Sequence, residues 1–261
     1  MPEIGRRGFA LGALAAGAAL AARPALSLAA EPALKPITGD VAPITSAERL
    51  GRIAKAQQLM RRHGLGSVLI EPGASLDYFT GVRWGRSERL TAALIPVEGE
   101  PIVFTPFFEE PSVRESLAVP AEVRTWVEHE DPLELVAGAL RDRKLAGRPV
   151  GIEETVRFFA VDGLRAMPRA DIRSGAPVVR GCRMIKSPAE IALMQKAADV
   201  TLAAYRHTYG RIGKGMTPAE IGEIMNGATK ALGGRPEFAL ILLGEASAYP
   251  HGSGKPQQVR D

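Results

Sequence analysis

The sequence predicts an α/β protein: a mixed sheet flanked by helices, followed by a further helical segment. Three observations point there. Short, β-branched apolar runs alternate with helix-length amphipathic stretches, and one pair of runs is joined by a tight turn. Aromatic residues are sparse at 5%, while 28 glycines and 20 prolines punctuate the chain, a mix that suits a loop-rich fold better than a helical bundle. Finally, one helix-start pattern occurs three times, at Thr45 with Glu48, Ser187 with Glu190 and Thr217 with Glu220. In each, the N-cap hydroxyl can accept from the N3 amide while the glutamate reaches back to the N-cap amide. Pro188 and Pro218 fill the first helical position of the last two, where no N–H is required.

Taken in order, residues 1–30 read as an export leader. Arg6-Arg7-Gly8-Phe9-Ala10-Leu11 is a twin-arginine pattern, followed by an alanine-rich run to Ala22 and by small residues in Ser27-Leu28-Ala29 that offer a cleavage site. That run is too short and too alanine-rich to span a bilayer. The expectation is a periplasmic or secreted protein exported by the twin-arginine route, with no membrane association once the leader is removed. Residues 31–44, with three prolines, read as a linker.

Residues 45–178 form the expected first domain. A helix starts at Thr45, turns Leu50, Ile53, Ala54, Gln57 and Met60 inward, and stops at Gly64. Residues 67–70 are a short buried strand, and 94–104 are two strands joined by a turn at Glu98-Gly99. A strand over 123–127, a helix over about 132–145, a strand over 149–152 and a helix over 156–167 complete it.

Residues 179–261 begin the second domain. After Ser187 the apolar positions Ile191, Met194, Ala198, Leu202 and Tyr205 keep helical spacing. After Thr217 they are Ile221, Ile224, Met225, Ala228 and Leu232, ending at Gly233-Gly234. The run 238–243 reads as a buried strand that delivers the chain to a loop carrying His251.

With 261 residues and 46% hydrophobic content, the chain can bury one large core or two smaller ones. Its formal charge of +4 falls to +2 without residues 1–30, which hold three arginines and one glutamate. No basic cluster remains to argue for nucleic acid. Cys182, the single cysteine, can form no intramolecular disulfide and reads as a small buried apolar residue.

Three stretches carry a family resemblance: Arg183-Met184-Ile185-Lys186-Ser187-Pro188-Ala189-Glu190-Ile191, Gly215-Met216-Thr217-Pro218-Ala219-Glu220-Ile221 and Pro250-His251-Gly252. In this order and spacing they resemble the start of the catalytic domain in the creatinase/aminopeptidase P group. These are the pita-bread metallopeptidases that include Xaa-Pro aminopeptidase and prolidase. Upstream, Tyr78-Phe79-Thr80-Gly81-Val82-Arg83-Trp84 resembles the group's N-terminal domain. The resemblance implies a creatinase-type N-terminal domain followed by part of a pita-bread domain. It implies peptide substrates with proline at the second position, and a homodimer or higher oligomer.

The resemblance also implies two divalent metal ions (Mn, Zn or Co) bridged by carboxylates in the full-length protein. This chain does not supply their ligands. After Asp199 it offers only Glu220, Glu223, Glu237, Glu245 and Asp261, and its four histidines are scattered without ligand spacing. The expectation is therefore an N-terminal portion of a longer protein, inactive as a peptidase on its own.

His251 matches the family histidine that handles protons near the scissile bond, chemistry that an imidazole titrating near neutrality can perform. Alternatively it is an exposed loop histidine. His63 and His207 read as structural or surface residues, and His129 as part of a solvated corner. The loop 80–89 also reads two ways. It is a solvated turn with Trp84 folded back as packing, or, by the resemblance, it lies near a neighbouring subunit's active site. There Trp84 would shape the pocket, and Arg86, with Arg83 and Arg89, would meet a substrate carboxylate. Two other functions stay open: a creatinase-like, metal-independent amidinohydrolase, and a non-catalytic peptide-binding module.

Overall fold

The computed structural model describes residues 33–260. The expected leader, 1–30, lies outside them. The first helix, α1 (Ser46–His63), begins at the Thr45 capping box and ends at Gly64, whose φ of 67° is the left-handed conformation a helix stop requires. Its inner face is Arg49, Ile53, Ala56 and Met60; Leu50 and Ala54, expected inside, face solvent.

The sheet has six strands: β1 (Ser67–Ile70), β2 (Ala92–Pro96), β3 (Ile102–Pro106), β4 (Glu122–Trp126), β5 (Val150–Ile152) and β6 (Ile172–Ser174). Their order is β4-β3-β2-β1-β5-β6, with β2 antiparallel to both neighbours and every other pairing parallel. All strands but β2 therefore point one way. The β2–β3 connection is the expected turn, with Gly99 at φ 86°.

Helices cover both faces, which is why β1, β2 and β3 are buried at every position rather than at alternate ones. Successive side chains go to opposite faces. Val68, Ile70, Ala93, Ile95 and Val103 meet α1 and α6 (Ala176–Arg183), while Leu69, Leu94, Ile102 and Phe104 meet α4 (Pro132–Asp142) and α5 (Phe158–Ala166). Two short helices, α2 (Ala74–Thr80) and α3 (Glu110–Ser116), follow β1 and β3. The short helices α2, α3 and α6, and strand β6, were not anticipated. Helix α6 runs across position 178 and buries Val179 and Cys182 against α1, so the first layer continues past that residue.

Beyond it, α7 (Pro188–Tyr209) and α8 (Pro218–Ala231) each start at the expected capping box. They pack through Val200, Ala204, Ala228 and Leu232, with Leu34 laid against them. The segment read as a linker is thus docked: Ile37 N–H donates to Leu232 O (3.0 Å) and Lys196 pairs with Asp40 (2.9 Å).

Two expectations fail here. The spaced residues Ile191, Met194, Leu202 and Tyr205 are more than half exposed, because α7 turns its other apolar side, Val200 and Ala204, to α8. Residues 238–243 are not a buried strand. They form no strand among the described residues, and Phe238 is 80% exposed. A strand is defined by its ladder, and apolar composition alone does not provide one.

Candidate active site

His251 sits on a turn. Pro250 occupies the second position, and Gly252 N–H closes the turn on Tyr249 O at 3.1 Å. Gly252 then takes φ 95°, and a side chain there would also meet Leu240. The chain past the turn is fastened twice. Gln257 accepts from Leu243 N–H (2.9 Å) and donates to Ser253 O (3.3 Å), and Val259 exchanges backbone bonds with Gly215 and Met216 (both 2.9 Å).

These holds place the exposed imidazole in the wall of an open cleft of about 870 Å³, beside Thr217, Pro218, Leu240, Leu242 and Lys255. The cleft lies against the first turn of α8. Glu220 does not project into it as an available base. Its carboxylate accepts from both the N–H and the hydroxyl of Thr217, which hold it below the usual carboxylate range. None of residues 83–89 contributes to the cleft.

In the loop after α2, Trp84 is half-buried and packed on the core beneath α1 and α6. Arg86 is anchored, donating from Nε to Pro72 O (3.0 Å) and from Nη2 to Thr155 Oγ1 (2.6 Å). Arg83 pairs with Asp77 at 3.0 Å and Arg89 with Glu128 at 2.6 Å, so all three arginines of the carboxylate reading already have partners. Cys182 is buried, and burial pushes its thiol up to about 11 despite the opposing charge of Lys55, which removes it as a nucleophile. His63 and His129 are exposed, and His207 is half-buried on α7.

A polar network went unanticipated. Glu71 and Glu153 directly follow β1 and β5, at the C-terminal ends of two adjacent parallel strands. Glu71 is wholly buried and bound by Arg157; Glu153 accepts from Ser75 (3.0 Å) and from Thr155 N–H and Oγ1 (2.9 and 2.5 Å). The available signal was the repetition of Ile-Glu at the end of two apolar runs, at Ile70-Glu71 and Ile152-Glu153.

Among the described residues, no three His, Cys, Asp or Glu side chains gather in a way that could hold a metal ion. The described residues do not fit a two-metal centre. Nor is any described helix long and apolar enough to cross a membrane.

Residues 52–185 match the model of the creatinase/prolidase N-terminal domain. The chain belongs to the creatinase/prolidase family. An uncharacterized peptidase of Schizosaccharomyces pombe is 31% identical over 241 residues, covering 86% of this chain and 52% of that relative. A probable dipeptidase PepE of Mycobacterium tuberculosis is 31% identical over 223 residues, covering 80% of this chain and 56% of the relative. The crystal structure of dipeptidase PepE from Mycobacterium ulcerans superimposes with a TM-score of 0.71 at 26% identity, over 84% of this chain and 59% of that one. A prolidase from Thermococcus sibiricus gives the same TM-score at 22% identity, a likeness of fold. The chain spans about half the length of the curated relatives it matches.

Proposed function

We propose that this chain is the N-terminal part of an exported, metal-dependent peptidase that cleaves peptide bonds N-terminal to proline. The observation that carries the reading is His251. It is presented on a proline turn in an open cleft against α8, within a chain of the creatinase/prolidase family. There the imidazole passes a proton as the tetrahedral intermediate forms and collapses. The 31% identical relative of Mycobacterium tuberculosis, a probable dipeptidase, and the match to the creatinase/prolidase N-terminal domain support the substrate class.

The two divalent ions implied by the resemblance take their ligands from outside the described residues. Trp84 shapes the pocket of a neighbouring subunit in a homodimer or larger oligomer. Arg86 holds the loop and offers the substrate the edge not turned to Pro72 and Thr155. Export by the twin-arginine route to the periplasm or beyond is part of the same proposal.

The test is hydrolysis of a Gly-Pro dipeptide by the complete gene product, with and without chelator, beside its His251→Ala variant. Chelator-sensitive turnover that falls at least about a hundredfold in the variant supports the reading. Metal-free hydrolysis of a guanidino or amidino substrate would replace it with a creatinase-like activity. Peptide binding without turnover would replace it with a binding module.

A further inference from the structure

Between Arg83 and Arg89 the described backbone bonds to no other backbone group, yet the loop has a defined course. Side chains hold it. The most demanding of them is Arg157, at the start of α5. Its Nε and Nη2 both donate to Glu71 Oε1 (2.9 and 2.6 Å), and its own N–H donates to Glu71 Oε2 (2.6 Å). The rest of the guanidinium reaches across to the loop, with Nη1 donating to Ser87 O and Nη2 also to Arg89 O (3.1 Å). Its plane lies over the Phe159 ring, 4.7 Å from the centroid.

Glu71 exposes none of its side chain and Arg157 about a quarter. Burying a carboxylate this completely is unfavourable unless it is paired, and such a pair adds little stability over apolar residues of the same volume. Its return is geometric. A planar fork locked on one side by a carboxylate presents its remaining N–H groups in a fixed direction, here to two carbonyls of one loop. Arg86 on Pro72 and Thr155 restrains the same loop from within, and Trp126 Nε1 fastens its exit at Leu90 O (3.0 Å).

We infer that Glu71 and Arg157 are a positioning pair for the 83–89 loop, and that through this loop, which bears Trp84, they set peptide specificity. The first half stands on the geometry alone; the second rests on the peptidase reading above.

The test separates stability from positioning. Arg157→Met leaves Glu71 buried without its counter-charge, held by the residue 157 N–H alone, so it destabilises the whole fold. Glu71→Met/Arg157→Met removes both charges and restores the melting temperature to near the parent's. The loop carries three tryptic sites, after Arg83, Arg86 and Arg89, whose nicking in the native chain is followed by mass. The double variant is expected to melt like the parent and yet be nicked there at least about tenfold faster, since two charge-assisted bonds to the loop are gone. Arg157→Lys, with a point charge in place of a fork, should fall between. If the double variant recovers both stability and parental nicking rate, the pair is merely structural and the inference is overturned.

In the complete enzyme the same double variant should raise KM for Gly-Pro at least about fivefold with kcat within about twofold, the signature of lost uniform binding. Faster nicking with unchanged KM overturns the specificity half. A parent enzyme without dipeptidase activity refutes the peptidase reading, while the nicking rate still decides the positioning.

Discussion

Glu190 does two jobs, and separating them tests how the first layer is joined to α7. Its Oε2 accepts from Ser187 N–H at 2.7 Å, completing the capping box. Its Oε1 accepts from Arg52 Nη2 at 3.0 Å, with the two side chains only 17% and 11% exposed. Arg52 also donates to Tyr78 O (2.8 Å) and stacks 4.0 Å from the Tyr78 ring centroid, while Tyr78 OH donates to Cys182 O (3.0 Å). One carboxylate therefore ties α7 to α1, α2 and α6.

Losing the reciprocal cap costs about 0.5–1 kcal/mol. Breaking an ion pair costs roughly 3–5 kcal/mol when fully buried and under about 1 when exposed, so about 2 is the value for a pair this enclosed. Glu190→Ala should then lose about 2.5–3 kcal/mol, a fall in melting temperature of roughly 5–10 °C for a chain of this size. Glutamine also serves at N3, so Glu190→Gln should keep the cap and lose only the ionic part, about 2 kcal/mol. The control is Glu220→Ala, the same box on α8 with no ionic partner among the described contacts, which should shift the midpoint distinctly less. Thermal unfolding followed by circular dichroism measures all three. Equal shifts for Glu190→Ala and Glu220→Ala, or a Glu190→Gln variant indistinguishable from the parent, would refute the double role.

Three further outcomes follow from the same packing. Gly81 sits at φ 86°, and a Cβ there would lie 2.5 Å from that of Ala118; Gly81→Ala should cost about 2 kcal/mol or more, whereas Gly85→Ala, in open space, should be neutral by the same melt. The Cys182 thiol, raised to about 11 from an ordinary 9.0, should resist Ellman's reagent at pH 8 in the native chain and titrate as one equivalent in guanidinium. The sign for stability follows: above pH 9 the unfolded chain releases a proton that the folded chain keeps, so stability falls between pH 9 and about 11, and Cys182→Ala removes that component. Met194→Lys with Tyr205→Lys, on the exposed stripe of α7, should lower the binding of an apolar dye to this chain by about half; unchanged dye fluorescence would mean the stripe is not its contiguous apolar patch.

What the sequence made legible was local. The helices starting at Thr45, Ser187 and Thr217 were readable because their cap and their N3 glutamate are three residues apart, and the structure closes all three boxes. The helices that escaped notice, α2, α3 and α6, share one property: none has a side-chain cap hydrogen bond, so the hydroxyl-and-glutamate box that announced the others is missing at their starts, and the prolines of α3 and α6 alone do not mark a helix. Strands β1 to β5 were legible as runs in the sequence and β6, Ile-Arg-Ser, was not; a run does not say whether a ladder awaits it, and 238–243 has none among the described residues.

Periodicity carried the same ambiguity on α7. It is apolar on two sides, and spacing cannot tell which side meets α8. The candidate site divides along this line too. His251 was readable as a loop residue from Pro250-His251-Gly252, since proline and glycine punctuate a chain locally, and its catalytic role came with the resemblance. The loop that bears Trp84 was readable as a loop, but what holds it was not. Glu71 and Arg157 are 86 positions apart, meeting only because β1 and β5 lie side by side and deliver Glu71 to the start of α5. A buried ion pair of that separation has no local signature; its trace in the sequence is the second Ile-Glu, which gains meaning once the two strands are known to be parallel neighbours.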